Sequence, residues 1–407
     1  MQINNAHLTY CSNIHAGESW QEHFSALKEN FPAIKAQTSP DKPMGLGLRL
    51  SNIASLELIK IENLNTFKKW LADQSAYVFT MNGFPYGGFH HTRVKDQVHA
   101  PDWTTNERVD YTNRLFDILT DLLPEGMDGG GISTSPLTYR HWFNQPDGTL
   151  SQAKEKATAN ILKVLDRLIK IKQQTSKTLH LDIEPEPDGL LETGEEFINW
   201  FENDLLPTAI NWITEHFGVG LAEAEKMVKD HICLCYDVCH FAIGYESHAD
   251  MVNTLRDKGI KIGKVQISAA LKAELNEHPE KRKDIRHAFS RFNESTYLHQ
   301  VVARKNNGSF IRYPDLPQAL EDIENPDVQE WRAHFHVPVF ADNFGGLVST
   351  RDDISEILAL QIRNAITSHL EVETYTWEVL PEALKLPLQA SIVRELEWVK
   401  DQLIQDI

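Results

Sequence analysis

The chain has 407 residues, with 40 Lys and Arg against 58 Asp and Glu, a formal net charge of −18. At 41% hydrophobic and 24% charged residues it has the composition of a folded globular enzyme rather than of a disordered chain. A surface this acidic repels phosphate backbones, which counts against a nucleic-acid partner, and no run of about 18 apolar residues is present to cross a bilayer. The opening MQINNAHLTYCSN lacks a basic run followed by an apolar core, which predicts no secretory signal. Four cysteines are too few for a disulfide framework. Three of them (Cys233, Cys235, Cys239) share one strand-like run, which suits buried thiols better than a zinc knot. The expectation is a reduced, cytoplasmic protein.

In chain order, strand-like runs fall at 7–13, 44–52, 76–84, 129–136, 178–186, 232–240, 263–270 and 369–377. Helix-period segments separate them, near 18–30, 55–73, 104–123, 152–174, 192–217, 247–258, 273–291 and 352–367, with a last one over 381–404. In the segment 152–174, for example, Ile161, Leu165, Leu168 and Ile169 share one face. Eight strands alternating with helices predict a single (β/α)8 TIM barrel over 1–407, whose basic form needs about 250 residues. The surplus is assigned to a helical insertion at about 190–230 and to a second at 296–341. In the latter, Asn306-Asn307-Gly308 between two β-rich runs predicts a hairpin. A doubly wound open sheet is disfavoured, because no GxGxxG follows the first strand.

A TIM barrel carries its chemistry at the carboxyl ends of its strands. The first strand ends at Asn13 and leads to His15; the second ends at Arg49 and Asn52. The third ends at Asn82, with His90 and His91 in the loop beyond. The fifth ends at Glu184 and then Glu186, the sixth at Asp237 and then His240, the seventh at Gln266 and Ser268, and the eighth at Glu371 and Glu373. Period-2 alternation places Asp182 with Glu184, and Glu371 with Glu373, on the face opposite their apolar neighbours. Of these, Glu371 is the one expected to be buried beside an Arg or Lys. Glu184, Asp237 and Glu373 at one rim repel each other, and burying them unpaired costs several kcal/mol each. One divalent cation (Mn2+, Zn2+, Fe2+ or Mg2+) would satisfy all three and leave positions for substrate oxygens.

The succession Glu184 (in LDIEP), Asp237 and His240 (in CYDVCH) and Glu373 (in LEVETYTW) resembles the sugar isomerase/epimerase family of xylose isomerase-like TIM barrels. The resemblance implies one cation held by Glu, Asp, His and Glu from the last four strands, and two glutamates, here Glu184 and Glu373, that shuttle a proton between neighbouring carbons. Longer stretches, HLTYCSNIHAGESW, NGFPYG at 82–87, HFHVPVF and LEVETYTWEVLP, are similar to the EboE group of metabolite traffic proteins. That likeness implies the handling of a secondary-metabolite precursor. Where the broader family has a strand-seven His, this chain has Gln266. Either its amide oxygen ligates, or His336 of the insertion supplies a nitrogen, or the site binds metal poorly.

The function expected is metal-dependent isomerisation or epimerisation of a small polyhydroxylated or carbonyl compound. Asn13, His15, Asn82 and His240 would bind substrate, and Arg49 would receive an anionic group. The alternative is a non-catalytic metabolite carrier with a degenerate metal site. Glycoside hydrolysis by Glu184 and Glu373 leaves Asp237 without a task. Endonuclease-type phosphodiester cleavage fits poorly with the charge and with Gln266. A homo-oligomer is compatible with the sequence, which does not require one.

Overall fold

The fold was obtained as a computed structural model and is described for residues 1–90, 93–143, 149–275, 278–380, 382 and 385–404. His91 and residues 381, 383 and 384, at the expected start of the last helix, lie outside the described residues. Eight parallel strands form the barrel: Ala6–Tyr10, Met44–Arg49, Ala76–Asn82, Gly129–Thr134, Thr178–Ile183, Ile232–Asp237, Ile262–Ile267 and His369–Val372. Each neighbour in sequence is its neighbour in space, and the eighth pairs in parallel with both the seventh and the first. A two-residue strand, Gln2–Ile3, pairs antiparallel with the start of the first.

The seam between the first and second strands is closed by side chains. The backbone contributes a lone Cys11–Gly47 bridge. Thr9 Oγ1 accepts from Gly47 N (3.0 Å) and donates to Gly45 O (2.8 Å), while Ser12 Oγ accepts from Arg49 N (2.9 Å). These hydroxyls occupy positions that a continuous ladder would otherwise fill. Gly47 is required there: a Cβ would overlap Glu371 Oε1 and come within 2.7 Å of Tyr10 O.

Both faces of the parallel strands are buried, so most read as continuous apolar runs rather than as alternation. The predicted runs extend a few residues past the observed strands; the sixth stops at Asp237, which caps a short helix, Val238–Ile243, directly after it. Several outer helices begin where the sequence supplies caps: Ser19 with Glu22 in a capping box, then Ser51, Thr105 and Thr193. The helical insertion follows the fifth strand. Gly194–Trp200 runs through one π turn, Phe201–Leu205, into Leu206–Phe217, and Leu221–His231 packs back upon it. Pro207 cannot donate to a carbonyl one turn back, which suits the widened turn before it, and Gly218 at φ +68° ends the helix.

The second insertion is longer than 296–341. It leaves the seventh barrel strand and forms a five-stranded antiparallel sheet in the order Phe310–Tyr313, Val301–Lys305, Val328–Ala333, Leu271–Glu274, Val348–Ser349. The hairpin around Asn306-Asn307-Gly308 is present. The helix expected over 273–291 is confined to Pro279–Ser290. Leu271 and Ala273 alternate with the more exposed Lys272 and Glu274, a period-2 pattern that makes this stretch a strand. The last helix spans Leu388–Ile404. Among the described residues no helix is long and apolar enough to cross a membrane.

The barrel interior is polar over several layers, where branched apolar residues are usual. Lowest lies His180 Nδ1 with Asp182 Oδ1 at 2.6 Å, and above it Lys264 Nζ with Glu371 Oε2 at 2.6 Å. Gly131 and Gly263 leave the room that the His180–Asp182 pair fills. Glu371 therefore has the basic partner expected of it as a buried carboxylate. The four cysteines are free and buried.

Candidate metal centre and cavity

Over these layers, the carboxyl ends of strands five to eight bring Glu184, Asp237, Gln266 and Glu373 together, all buried. Ligand atoms of Glu184, Asp237 and Glu373 lie within 4.8 Å of one another, as do those of Asp237, His240 and His336. His336 arrives from the insertion, whose returning chain is tied to the barrel by Val337 N to Ala269 O (3.0 Å) and Thr376 Oγ1 to His336 O (2.7 Å).

The hydrogen bonds sort these groups into two kinds. Glu373 is held by three amides: Asn13 Nδ2 and Asn82 Nδ2 each donate to Oε1 at 2.7 Å, and Gln266 Nε2 donates to Oε2. Asn82 is locked in this sense, because its Oδ1 already accepts from Phe84 N at 3.0 Å. By contrast, Glu184 Oε2, Asp237 Oδ2 and His336 Nε2 are buried with no hydrogen-bond partner. His336 Nδ1 faces only acceptors, Glu373 O at 3.2 Å and Glu373 Oε2 at 3.6 Å. That nitrogen carries the proton, so Nε2 presents a lone pair, 3.9 Å from Asp237 Oδ2. Three buried acceptors, in two ligand groups that share Asp237, lack a donor, which is the pattern a cation completes.

Burial first, and then the neighbouring carboxylates, push the Glu184 carboxyl well above the usual range. The same two causes raise Glu373, with Lys264 and the Asn13 amide opposing them. Burial lowers His336 to about 4, so its imidazole is neutral and free to ligate.

The residues expected to meet substrate divide. Asn13, Asn82 and His240 line the cavity above the carboxylates. His15 and Arg49 do not. His15 is buried against Tyr10, its Nε2 3.0 Å from the phenol oxygen. Arg49 is buried too: its guanidinium pairs with Glu18 at 3.3 Å and donates to Gly87 O at 2.6 Å, so it ties loops together outside the cavity lining. Gln266 turns its amide oxygen to the Cys235 thiol (2.9 Å) and its nitrogen to Glu373, so it supports that carboxylate from behind.

Residues not singled out from the sequence complete the cavity. They include His99, Gln300 and the rings of Phe89, Tyr297 and Tyr375; His334, the period-2 neighbour of His336 in HFHVPVF and expected to reach the rim with it, lines the cavity as well. Glu186 also lines it, and His99 Nε2 meets Glu186 Oε1 at 2.8 Å. The one signal available beforehand was spacing: Glu186 is two residues beyond Glu184, and His334 two before His336.

No protein-family model and no curated protein matches the chain. Among solved structures it is similar to a xylose isomerase-like TIM barrel protein from Mycobacterium smegmatis in complex with magnesium, at 9% identity over 96% of this chain and 90% of that one, TM-score 0.47. It is also similar to the IOLI protein with a bound zinc atom (11% identity, 98% of each chain, TM-score 0.45). A further likeness is to the probable 3-DHS dehydratase AsbF of Bacillus anthracis (10% identity, 97% of this chain and 98% of that one, TM-score 0.43). At such identities and scores, no substrate or metal passes from those proteins to this one.

Proposed function

We propose that the chain is a cation-dependent enzyme of the xylose isomerase-like type, which moves a proton between neighbouring carbons of a small polyhydroxylated or carbonyl compound. The observation that carries this reading is that Glu184 Oε2, Asp237 Oδ2 and His336 Nε2, from two ligand groups that share Asp237, are buried acceptors without a donor. With Glu373 they make a mixed oxygen and nitrogen set, suited to Mn2+, Fe2+ or Zn2+ more than to Mg2+. A divalent cation held there would polarise a substrate carbonyl and offset the negative charge that develops when the adjacent carbon loses its proton.

The chain's own groups have unequal tasks. Glu373, with both oxygens held by Asn13, Asn82 and Gln266, serves as an anchor. Both carboxyls have a raised proton affinity, but Glu184 has an oxygen without a donor, so it is the carboxylate that takes and returns a proton. This replaces the symmetrical shuttle of two glutamates with one base and one anchor. The walls select a neutral substrate. Among the described lining residues Lys95 is the one lysine, there is no arginine, and Lys95 is paired with Asp315 at 2.6 Å. That the substrate belongs to a secondary-metabolite pathway, as in the EboE group, rests on the sequence likeness alone.

The test is hydrogen exchange at carbon. Manganese-loaded protein is incubated in D2O with a panel of neutral ketoses and cyclic polyol ketones, and deuterium incorporation is read by NMR. Exchange with one of them, abolished in Glu184→Gln, is the expected result. No exchange across the panel, with an unaltered metabolite co-purifying, would overturn the reading in favour of a carrier.

A further inference from the structure

The candidate centre takes up one part of the cavity, and the rest of the lining is of another kind. Phe89, Val94 and Tyr297 form a small apolar cluster apart from the barrel core, with the half-buried Val98 and Tyr375 packed against it. All five line the cavity. The three rings meet pairwise, with centroids 5.4 Å apart for Phe89 and Tyr297 and 5.2 Å apart for the two pairs with Tyr375. Tyr375 also lies 4.5 Å from the His336 ring, so the cluster begins where the centre ends.

This wall is built in advance of any ligand. Val94 N and Lys95 N both donate to Thr296 O, at 2.8 and 2.9 Å, which joins the loop after the third barrel strand to the second insertion. Phe89 N donates to Glu18 Oε1 at 3.1 Å, and the Tyr297 hydroxyl donates to Phe89 O at 3.0 Å. With its hydroxyl given to backbone, what Tyr297 adds to the lining is an apolar ring.

The polar side chains around the wall are engaged with one another. Lys95 Nζ meets Asp315 at 2.6 Å. Gln300 Oε1 lies 2.8 Å from His334 Nδ1, while Gln300 Nε2 donates to Pro187 O at 3.1 Å. His99 Nε2 is held on Glu186, and the amides of Asn13 and Asn82 are held on Glu373. A chain of hydroxyls running from the centre along this lining would meet few groups to bond, and each hydroxyl buried unpaired costs its hydration. A hydrocarbon group has no such loss and gains by leaving water.

We infer that the substrate is not a free sugar but a carbonyl compound with an apolar body about the size of a benzene ring. Its oxygens lie at the centre and its ring against Phe89, Val98, Tyr297 and Tyr375. This inference rests on the proton-transfer reading above and narrows its substrate class.

Three neutral compounds share one hydroxymethyl ketone head and test it. Hydroxyacetone has nothing more, xylulose adds hydroxyls, and benzyl hydroxymethyl ketone adds a ring. Their dissociation constants are measured by ligand-observed NMR on the full chain, once stripped with chelator and once loaded with diamagnetic Zn2+. The benzyl compound is expected to bind about ten-fold tighter than hydroxyacetone or more, and xylulose no tighter than hydroxyacetone. Val98→Asn puts a polar group into the wall away from the centre. It should shrink the benzyl advantage severalfold and leave hydroxyacetone unchanged, with a smaller effect from Phe89→Leu; circular dichroism checks that both variants fold. Equal binding of the benzyl compound and hydroxyacetone, tighter binding of xylulose than of the benzyl compound, or an advantage that neither variant reduces would overturn the proposal. The wall and the centre are separable in the same data. A benzyl preference that is the same with and without Zn2+ would support the apolar wall and count against the cation centre. Zinc-dependent binding without a benzyl preference would do the reverse.

Discussion

His336 Nε2 stands 3.9 Å from Asp237 Oδ2, each buried and each without a hydrogen-bond partner. Two acceptors facing one another in this way cost stability in the metal-free protein, and Asp237 adds charge repulsion with Glu184 and Glu373. In Asp237→Asn, Oδ1 would still accept from Ser268 Oγ (2.6 Å), while the new amide would point a donor at His336. The expected outcome is a metal-free protein more stable than wild type by about 1–3 kcal/mol, measured by urea unfolding in chelator. The same variant should gain no stability from added Mn2+ or Zn2+, whereas wild type should.

Asn82 can donate to Glu373 only because Phe84 N fixes its oxygen. Asn82→Asp would replace that donor with a second carboxylate in a buried setting. A loss on the order of 2–4 kcal/mol is expected at neutral pH. The loss should shrink as the pH is lowered toward 5, since uptake of a proton by one of the two carboxyls relieves the repulsion. Urea midpoints at the two pH values decide it.

Lys264 and Glu371 form a fully buried pair beneath the centre, and burial opposes the charge on Lys264 while Glu371 raises its pKa. Lys264→Met leaves an unpaired carboxylate and should cost about 3–5 kcal/mol. The double variant Lys264→Met, Glu371→Leu should recover most of that loss. Chemical unfolding of both variants supplies the comparison.

Glu395 of the last helix holds the rim from outside: Oε1 accepts from Thr374 Oγ1 at 2.6 Å and Val339 N at 3.2 Å. Burial pushes its carboxyl up to about 7. With the folded pKa above the unfolded one, its contribution is full below about pH 4.5 and is lost as pH rises through about 7. Glu395→Gln keeps the accepting oxygen, so it should unfold less readily than wild type at pH 8, by on the order of 1–3 kcal/mol. The difference should vanish near pH 4. Thermal unfolding across that range shows whether it does.

All eight barrel strands were legible because parallel strands buried on both faces leave compact apolar runs, and period-2 alternation then fixed which of Asp182, Glu184, Glu371 and Glu373 point inward. Asp237 and His240 were also readable together, since a capping residue at the strand end puts the first turn of the next helix at the rim. What the sequence could not convey is what arrives at the rim from elsewhere. Glu18 reaches Arg49 only after the first loop folds back, so the apparent anion receptor is already occupied. His99, Gln300 and His334 lie in loops and in the second insertion, where no barrel phase predicts their direction. Gln266 could be weighed as a ligand from its position, but its turn toward Cys235 and Glu373 depends on contacts across strands.

The most direct measurement is the element content, by mass spectrometry, of wild type and Asp237→Asn purified without chelator or metal-affinity steps. If Glu184, Asp237, His336 and Glu373 form a metal centre, wild type carries a stoichiometric first-row divalent metal that the variant loses while its fold is unchanged. Equal metal content in the two proteins, or none in wild type after soaking with excess Mn2+ and Zn2+, would contradict it.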